Sequence, residues 1–104
     1  MVTIAAPTFS EFRLSPAVQS VIAAMGIVSP TPIQSQVIPA MLAGRDVIGQ
    51  ARTGSGKTIA FAAPLVDRSD PRERGVQALV LVPTRELALQ VGQAIDLLEH
   101  PQAL

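Results

Sequence analysis

The stretch Ala51-Arg52-Thr53-Gly54-Ser55-Gly56-Lys57-Thr58 decides how this chain should fold. It follows the β-branched pair Val47-Ile48 and precedes the apolar segment 59–63, which gives the order strand, glycine-rich turn, helix. Glycine adopts backbone angles that strain other residues, so the N–H groups of such a turn and of the helix N-terminus can converge on one phosphate. The pattern predicts a phosphate-binding loop, in which Lys57 reaches the β- and γ-phosphates and Thr58 offers its hydroxyl to Mg²⁺.

One position departs from the general form of this loop. The pattern G-x-x-x-x-G-K-[ST] begins with glycine, and this chain has Ala51 there. A bare Gly-Ser-Gly-Lys-Thr is also compatible with a flexible linker that carries one charge. The strand signal before the loop and the helix signal after it are the context that the phosphate-binding interpretation requires.

The composition limits the classes of protein to which the chain can belong. It has 104 residues, no cysteine, one histidine and a formal net charge of zero. Disulfides and thiolate metal sites are therefore excluded, and no overall field favours nucleic acid or an anionic membrane. The uncharged segment 14–44 is interrupted by Pro16, Pro30, Pro32 and Pro39, and the N-terminus lacks the features of a signal peptide. We expect a cytoplasmic protein with no membrane span.

Signals for helices flank the phosphate loop. Ser15-Pro16 and Thr31-Pro32 each place an N-cap residue before a proline at the first helical position. Gly26 can end the first of these helices. Pro39 should break the second helix or start a new turn, and Pro64 should kink or end the helix that begins near Gly56.

The second half of the chain adds a strand and a further helix. The apolar run 78–82 predicts a strand that is buried on both faces, and the polar segment 69–75 before it predicts a surface loop. Thr84 can cap a helix that starts at Arg85. The apolar stripe of that helix is Leu87, Val91, Ile95 and Leu98. With the strand at 47–50, this alternation predicts an α/β fold with a parallel sheet and flanking helices.

Three stretches together resemble the N-terminal part of a DEAD-box ATP-dependent RNA helicase of the bacterial type. The segment from Gly26 to Gln34, with Phe9 upstream, looks like the Q motif of that family and its detached aromatic residue. The segment from Ala51 to Thr58 matches the helicase form of the phosphate loop, in which alanine replaces the first glycine, although Arg52 stands where many members have glutamine. The segment from Pro83 to Ala88 looks like motif Ia.

The resemblance implies a domain organisation. Residues 1–104 would be a truncated N-terminal RecA-like helicase domain, with a helical Q-motif region at about 9–43 and a part that carries the phosphate loop and motif Ia at about 44–104. No Asp-Glu pair and no Ser-Ala-Thr motif occurs in the sequence. The second RecA-like domain of the family, with its arginines, is missing as well.

The resemblance also implies roles for individual residues. Gln34 would read adenine through its amide and Phe9 would pack over the ring. Taken alone, Gln34 fits better a glutamine on a helix surface, and Phe9 could be a core aromatic residue, which does not exclude a contact with adenine. Thr84 and Arg85, together with Pro83, would contact RNA phosphates, although each alone fits a helix cap or a solvated charge. The implied nucleotide-binding residues are Phe9, Gln34, Arg52, Thr53, Gly54, Ser55, Gly56, Lys57 and Thr58. Lys57 and Thr58 would be catalytic, Thr58 would hold the metal, and ATP and Mg²⁺ would be the cofactors.

Two functions from different classes follow from these patterns. The first is the N-terminal fragment of an RNA helicase, an ATP hydrolase in the complete protein that we expect to be inactive as this chain alone. The second is a nucleotide- or phosphate-binding module that works by itself without catalysis. A third, another P-loop ATPase, is disfavoured by Gln34 in its Pro-Thr-Pro-Ile-Gln context.

Overall fold

The regular structure that surrounds the phosphate loop is helical. The computed structural model describes residues 8–51 and 56–99, so Arg52, Thr53, Gly54 and Ser55 lie outside the described residues. A 3₁₀ turn at Phe9–Phe12 comes first. It is followed by α1 (Pro16–Ala24), α2 (Pro32–Leu42), α3 (Lys57–Arg68) and α4 (Arg85–Glu99).

The ends of α1 confirm the sequence signals. The Ser15 hydroxyl accepts a hydrogen bond from the N–H of Val18 at 3.4 Å, and Pro16 occupies the first turn. At the other end Gly26 has φ of 82°. Its N–H donates to Ala23 at 3.0 Å, and the N–H of Ile27 donates to Ile22 at 3.3 Å. This pair of bonds is the Schellman arrangement, which needs a left-handed residue and so explains the glycine.

The predicted break of α2 at Pro39 is wrong, and α3 does not end at Pro64, while a kink at Pro64 stays a prediction. Helix α2 continues past Pro39 to Leu42, and α3 continues past Pro64 to Arg68. A proline removes one bond of the helix ladder, but tertiary packing can offset that loss. Helix α2 packs mainly against α3, and α3 packs against α4 as well. The Arg68 guanidinium also donates to the carbonyl of Met41 at 3.1 Å, which fastens the end of α3 to the last turn of α2.

One apolar core joins the 3₁₀ turn to α1, α2, α3 and α4. Its buried members are Phe9, Leu14, Val18, Val21, Ile22, Ile38, Ile59, Ala62, Ala63, Ala94 and Leu98. A polar bond fixes the start of α1 to this core, because the N–H of Ser15 donates to Oδ1 of Asp67 on α3 at 2.8 Å. The helices on either side of the phosphate loop are thus held together independently of the loop.

The predicted sheet is not formed in the described part of the chain, which contains no strand. Residues 45–51 and 76–82 run as irregular segments, and Ile48, Leu79 and Leu81 are 96%, 78% and 85% exposed. Both segments border one open cavity of about 1030 Å³. A strand is defined by hydrogen bonds to a neighbour, and these two segments face the cavity instead of each other. The apolar run 78–82, predicted to be buried on both faces, is for that reason largely exposed.

The polar segment 69–75 forms an exposed connection, as predicted. Within it the Arg72 guanidinium lies 3.1 Å from Oδ1 of Asp70, and the backbone N–H of Arg72 donates to the same oxygen at 2.9 Å. The bond from the Arg72 side chain, and to a lesser degree the bond from its backbone, holds the pKa of Asp70 below its ordinary value.

Across residues 8–51 and 56–99, no helix has the length and apolar character needed to cross a membrane.

Candidate nucleotide-binding site

Gln34 links the first turn of α2 to the start of α3. It is the only buried polar residue in the described ranges, with 1% of its surface exposed. Its Nε2 donates to the carbonyl of Gly56 at 3.1 Å, and its Oε1 accepts from the N–H of Thr31 at 2.9 Å. The Thr31 hydroxyl in turn accepts from the N–H of Gln34 at 3.4 Å, which completes a capping box.

The alternative of a glutamine on a helix surface is therefore wrong. Gln34 is buried because α2 packs along α3, which brings the N-terminus of α2 against the N-terminus of α3. A buried amide without partners would cost about 1–3 kcal/mol, and the bonds to Thr31 and Gly56 remove that cost. The amide still has one N–H and one acceptor position beyond those two bonds.

Gly56 meets this amide because it has no side chain. It has φ of 82° and is the N-cap of α3. A Cβ placed there would collide with Nε2 of Gln34 and would lie 3.1 Å from Oγ1 of Thr31. Both the left-handed angle and the close approach require glycine at this position.

Lys57 is the first residue of α3 and points back across the loop. Its Nζ donates to the carbonyl of Ala51 at 3.3 Å, so the ammonium bridges the two ends of the phosphate loop. Thr58 follows it and is half-buried. Among the described residues no side chain caps α3, which leaves the N–H groups of its first turn for another acceptor.

This arrangement fits the phosphate groups of a nucleotide. A helix N-terminus without a capping side chain, a left-handed glycine and an ammonium group all favour an anion. The described residues contain no group of three or more His, Cys, Asp or Glu side chains that could hold a metal ion, and the residue with a hydroxyl suited to Mg²⁺ at this helix start is Thr58. Thr58 would hold the ion from one side, and phosphate oxygens would supply the other ligands.

Phe9 lies in the core and is 7% exposed. Its ring meets that of Phe12 edge to face, with centroids 5.9 Å apart and planes at 86°. The core interpretation of Phe9 is thus confirmed, and its packing over adenine stays a prediction.

The motif Ia residues lie at the other end of the irregular segment 76–84. The Thr84 hydroxyl accepts from the N–H of Leu87 at 3.2 Å, and Arg85 is the first residue of α4. Pro83, Thr84 and Arg85 are all exposed. The cap is confirmed, and the RNA contact stays a prediction.

Sequence reasoning missed the reciprocal bond of Gln34 and the partner of Lys57. A signal for the first was present, because Thr31-x-x-Gln34 has the spacing of a capping box. No local pattern indicates the bond from Gln34 to Gly56, since the two residues are 22 positions apart.

Comparison with known proteins places these residues in a family. The profile of the DEAD/DEAH box helicase family matches residues 31–103. The chain is 51% identical over 88 residues to the DEAD-box ATP-dependent RNA helicase CshA of Bacillus licheniformis. The matched region covers 85% of this chain and 18% of that protein. It is 53% identical over 89 residues to the ATP-dependent RNA helicase DeaD of Mycobacterium tuberculosis, covering 86% of this chain and 16% of that protein.

Solved structures show the same similarity in three dimensions. The fold matches a DEAD box protein from the hyperthermophile Methanococcus jannaschii with a TM-score of 0.80 and 43% identity, over 88% of this chain and 25% of that one. It matches S. cerevisiae Dbp5 bound to RNA and ADP BeF3 with a TM-score of 0.79 and 34% identity, over 90% of this chain and 25% of that one. The chain thus spans about a sixth of the length of the curated relatives that it matches. On this agreement of sequence and fold, the chain belongs to the DEAD/DEAH box helicase family.

Proposed function

We propose that this chain is the N-terminal part of an ATP-dependent RNA helicase and that it binds an adenine nucleotide at the N-terminus of α3. The observation that carries the proposal is the pair of bonds at the start of α3, from Lys57 to Ala51 across the loop and from Gln34 of α2 to Gly56. They gather a cation, an amide and a helix N-terminus at one place. Two relatives that share about half of its sequence carry names that specify ATP-dependent RNA helicases.

The proposal gives each residue of the site a separate role. Lys57 and the N–H groups of the loop, with Gly56 and the residues 52–55, hold the β- and γ-phosphates, and Thr58 holds Mg²⁺. Gln34 reads the base with the N–H and the acceptor position that Thr31 and Gly56 leave unused, and Phe9 supports the base from the core. ATP hydrolysis and RNA unwinding belong to the complete protein, since phosphoryl transfer needs further groups that this sequence lacks.

The proposal includes the sheet that the described residues do not form. Residues 47–50 and 78–82 are strands of a parallel RecA-like sheet in the complete protein, and its other strands occupy the cavity of about 1030 Å³ between them. The exposure of Ile48, Leu79 and Leu81 supports this, because such apolar side chains are normally buried. In this organisation residues 9–43 form the Q-motif region and residues 44–104 the part with the phosphate loop and motif Ia.

Nucleotide choice tests the site. Unlabelled ADP should displace a fluorescent ADP from the unsubstituted chain at a concentration about tenfold or more lower than GDP does. The reason is that a base edge that cannot pair with the Gln34 amide leaves that amide unsatisfied. Gln34→Ala should narrow this preference. Gln36→Ala is the matched control, since Gln36 is exposed on the same helix. Equal displacement by ADP and GDP would refute the assignment of Gln34 to the base.

The RNA contact is supported by the exposure of Thr84 and Arg85 at the N-terminus of α4. A helix N-terminus and a guanidinium both favour phosphate. Arg85→Ala should weaken binding of single-stranded RNA and lower the slope of log affinity against log salt by about one. Arg74→Ala, an exposed arginine of the segment 69–75, should leave the slope unchanged. An equal change of slope in both variants would argue against motif Ia as the contact.

A further inference from the structure

Gly49 is the point at which the chain entering the phosphate loop touches α3. A Cβ placed on Gly49 would lie 2.6 Å from Cζ and 2.9 Å from Cε1 of Phe61, and 3.8 Å from Cδ1 of Ile33. The first two distances are shorter than Cβ atoms tolerate, and the third is an ordinary contact. The Phe61 ring therefore lies directly against the backbone of residue 49.

The need for glycine at this position comes from space and not from backbone angle. The described glycines with positive φ are Gly26, Gly44, Gly56 and Gly75. Gly49 is not among them, so its backbone conformation suits any residue. A glycine of this kind marks the close approach of another group to the chain.

This contact is one of two that join the same pair of segments. Phe61 lies one turn after Lys57, so the two side chains share a face of α3. Ala51 lies two residues after Gly49, and its carbonyl accepts the bond from Lys57 at 3.3 Å. Two residues of chain span at most about 7 Å and one helical turn rises about 5.4 Å. The contacts Gly49–Phe61 and Ala51–Lys57 therefore lie close together between the same two segments.

We infer that the Gly49–Phe61 contact sets the separation between the two ends of the phosphate loop, Ala51 on one side and Lys57 on the other. Gly49 and Phe61 are positioning residues, because the proposed function gives neither of them a contact with the nucleotide. A side chain at position 49 would push the entering segment away from α3 and carry the carbonyl of Ala51 away from Lys57. The benefit for nucleotide binding rests on the proposed function, whereas the effect on Lys57 does not.

Lys57 reports on this contact because it is the only lysine in the sequence. Acylation of its amine, followed by peptide mass spectrometry without nucleotide, should be several-fold faster in Gly49→Ala, because the bond to Ala51 is lost. The Kd for fluorescent ADP should rise roughly tenfold, the change that accompanies loss of one hydrogen bond to a charged group. Gly92→Ala is the matched control, since a Cβ at Gly92 meets nothing within 4 Å.

A second substitution separates positioning from a general loss of stability. Phe61→Leu removes the ring atoms that the new Cβ would meet. If the contact sets the separation, adding Phe61→Leu to Gly49→Ala should return both the acylation rate and the Kd to within about threefold of the unsubstituted chain. If Gly49→Ala merely loosened the fold, the double variant should be acylated faster and should bind ADP more weakly than either single variant, because Phe61→Leu also removes packing.

The outcomes are distinct. An acylation rate that Gly49→Ala leaves unchanged, in a chain whose circular dichroism shows intact helices, would overturn the inference. So would a double variant that acylates faster than Gly49→Ala. Failure of the unsubstituted chain to bind ADP would refute the proposed function, while rescue of the acylation rate by Phe61→Leu would still support the spacing role.

Discussion

Replacing Lys57 by alanine should raise the Kd for ADP about 100-fold, the largest effect on binding that we expect from one substitution. The Lys57 ammonium lies at the start of α3, where it bonds to the carbonyl of Ala51. A hydrogen bond to a charged group contributes about 1.5–3 kcal/mol, and each 1.4 kcal/mol corresponds to tenfold in affinity. Isothermal titration or displacement of a fluorescent ADP measures the change directly.

Arg68→Ala is the matched control for this substitution. Arg68 ends the same helix and also donates to a backbone carbonyl, that of Met41 at 3.1 Å. Its removal should lower stability and leave the Kd for ADP unchanged. If the two variants bound ADP equally well, the phosphates would not lie at Lys57 and the nucleotide site would have to be sought elsewhere.

Gly56→Ala should cause the largest loss of stability among single substitutions at the site. A left-handed angle costs an alanine about 1–2 kcal/mol, and displacement of the buried Gln34 amide from its partners costs about 1–3 kcal/mol more. The sum, about 2–5 kcal/mol, is a large share of the stability of a domain of this size. The midpoint of urea unfolding, followed by circular dichroism, should fall accordingly.

Gly26→Ala isolates the part of this loss that comes from the backbone angle. Gly26 has the same φ of 82°, and a Cβ there meets nothing within 4 Å. Its substitution should therefore cost only about 1–2 kcal/mol. Gly56→Ala should lose more unfolding free energy than Gly26→Ala. This additional loss should decrease when Gln34→Ala is added, because the smaller side chain relieves the collision with the new Cβ. Equal losses in Gly26→Ala and Gly56→Ala would mean that Gln34 does not pack against Gly56.

Local sequence signals predicted the helical parts of the fold well. Ser15-Pro16, Thr31-Pro32 and Gly26 act within one turn of themselves, so their effect does not depend on the rest of the chain. The predicted break at Pro39 and the predicted helix end at Pro64 failed for the opposite reason. The cost of an interior proline is fixed locally, but the packing of α2 against α3 that offsets it is not visible in either segment.

The strands show the same limit from another side. The run 78–82 has the composition of a buried strand, yet in the described structure Leu79 and Leu81 are exposed. Composition reports what a segment is suited to, whereas a sheet exists only where a neighbouring strand supplies hydrogen-bond partners. Without such a partner the segment keeps its apolar character and forms no ladder.

By itself the sequence determined the family resemblance and the caps of the helices, because each depends on residues close together in the chain. Only the tertiary structure decided what Gln34 and Gly49 touch. The bond from Gln34 to Gly56 and the approach of Gly49 to Phe61 join residues 22 and 12 positions apart, 34 to 56 and 49 to 61. Such contacts arise from the way α2, α3 and the entering segment pack together, and packing is a property of several segments at once.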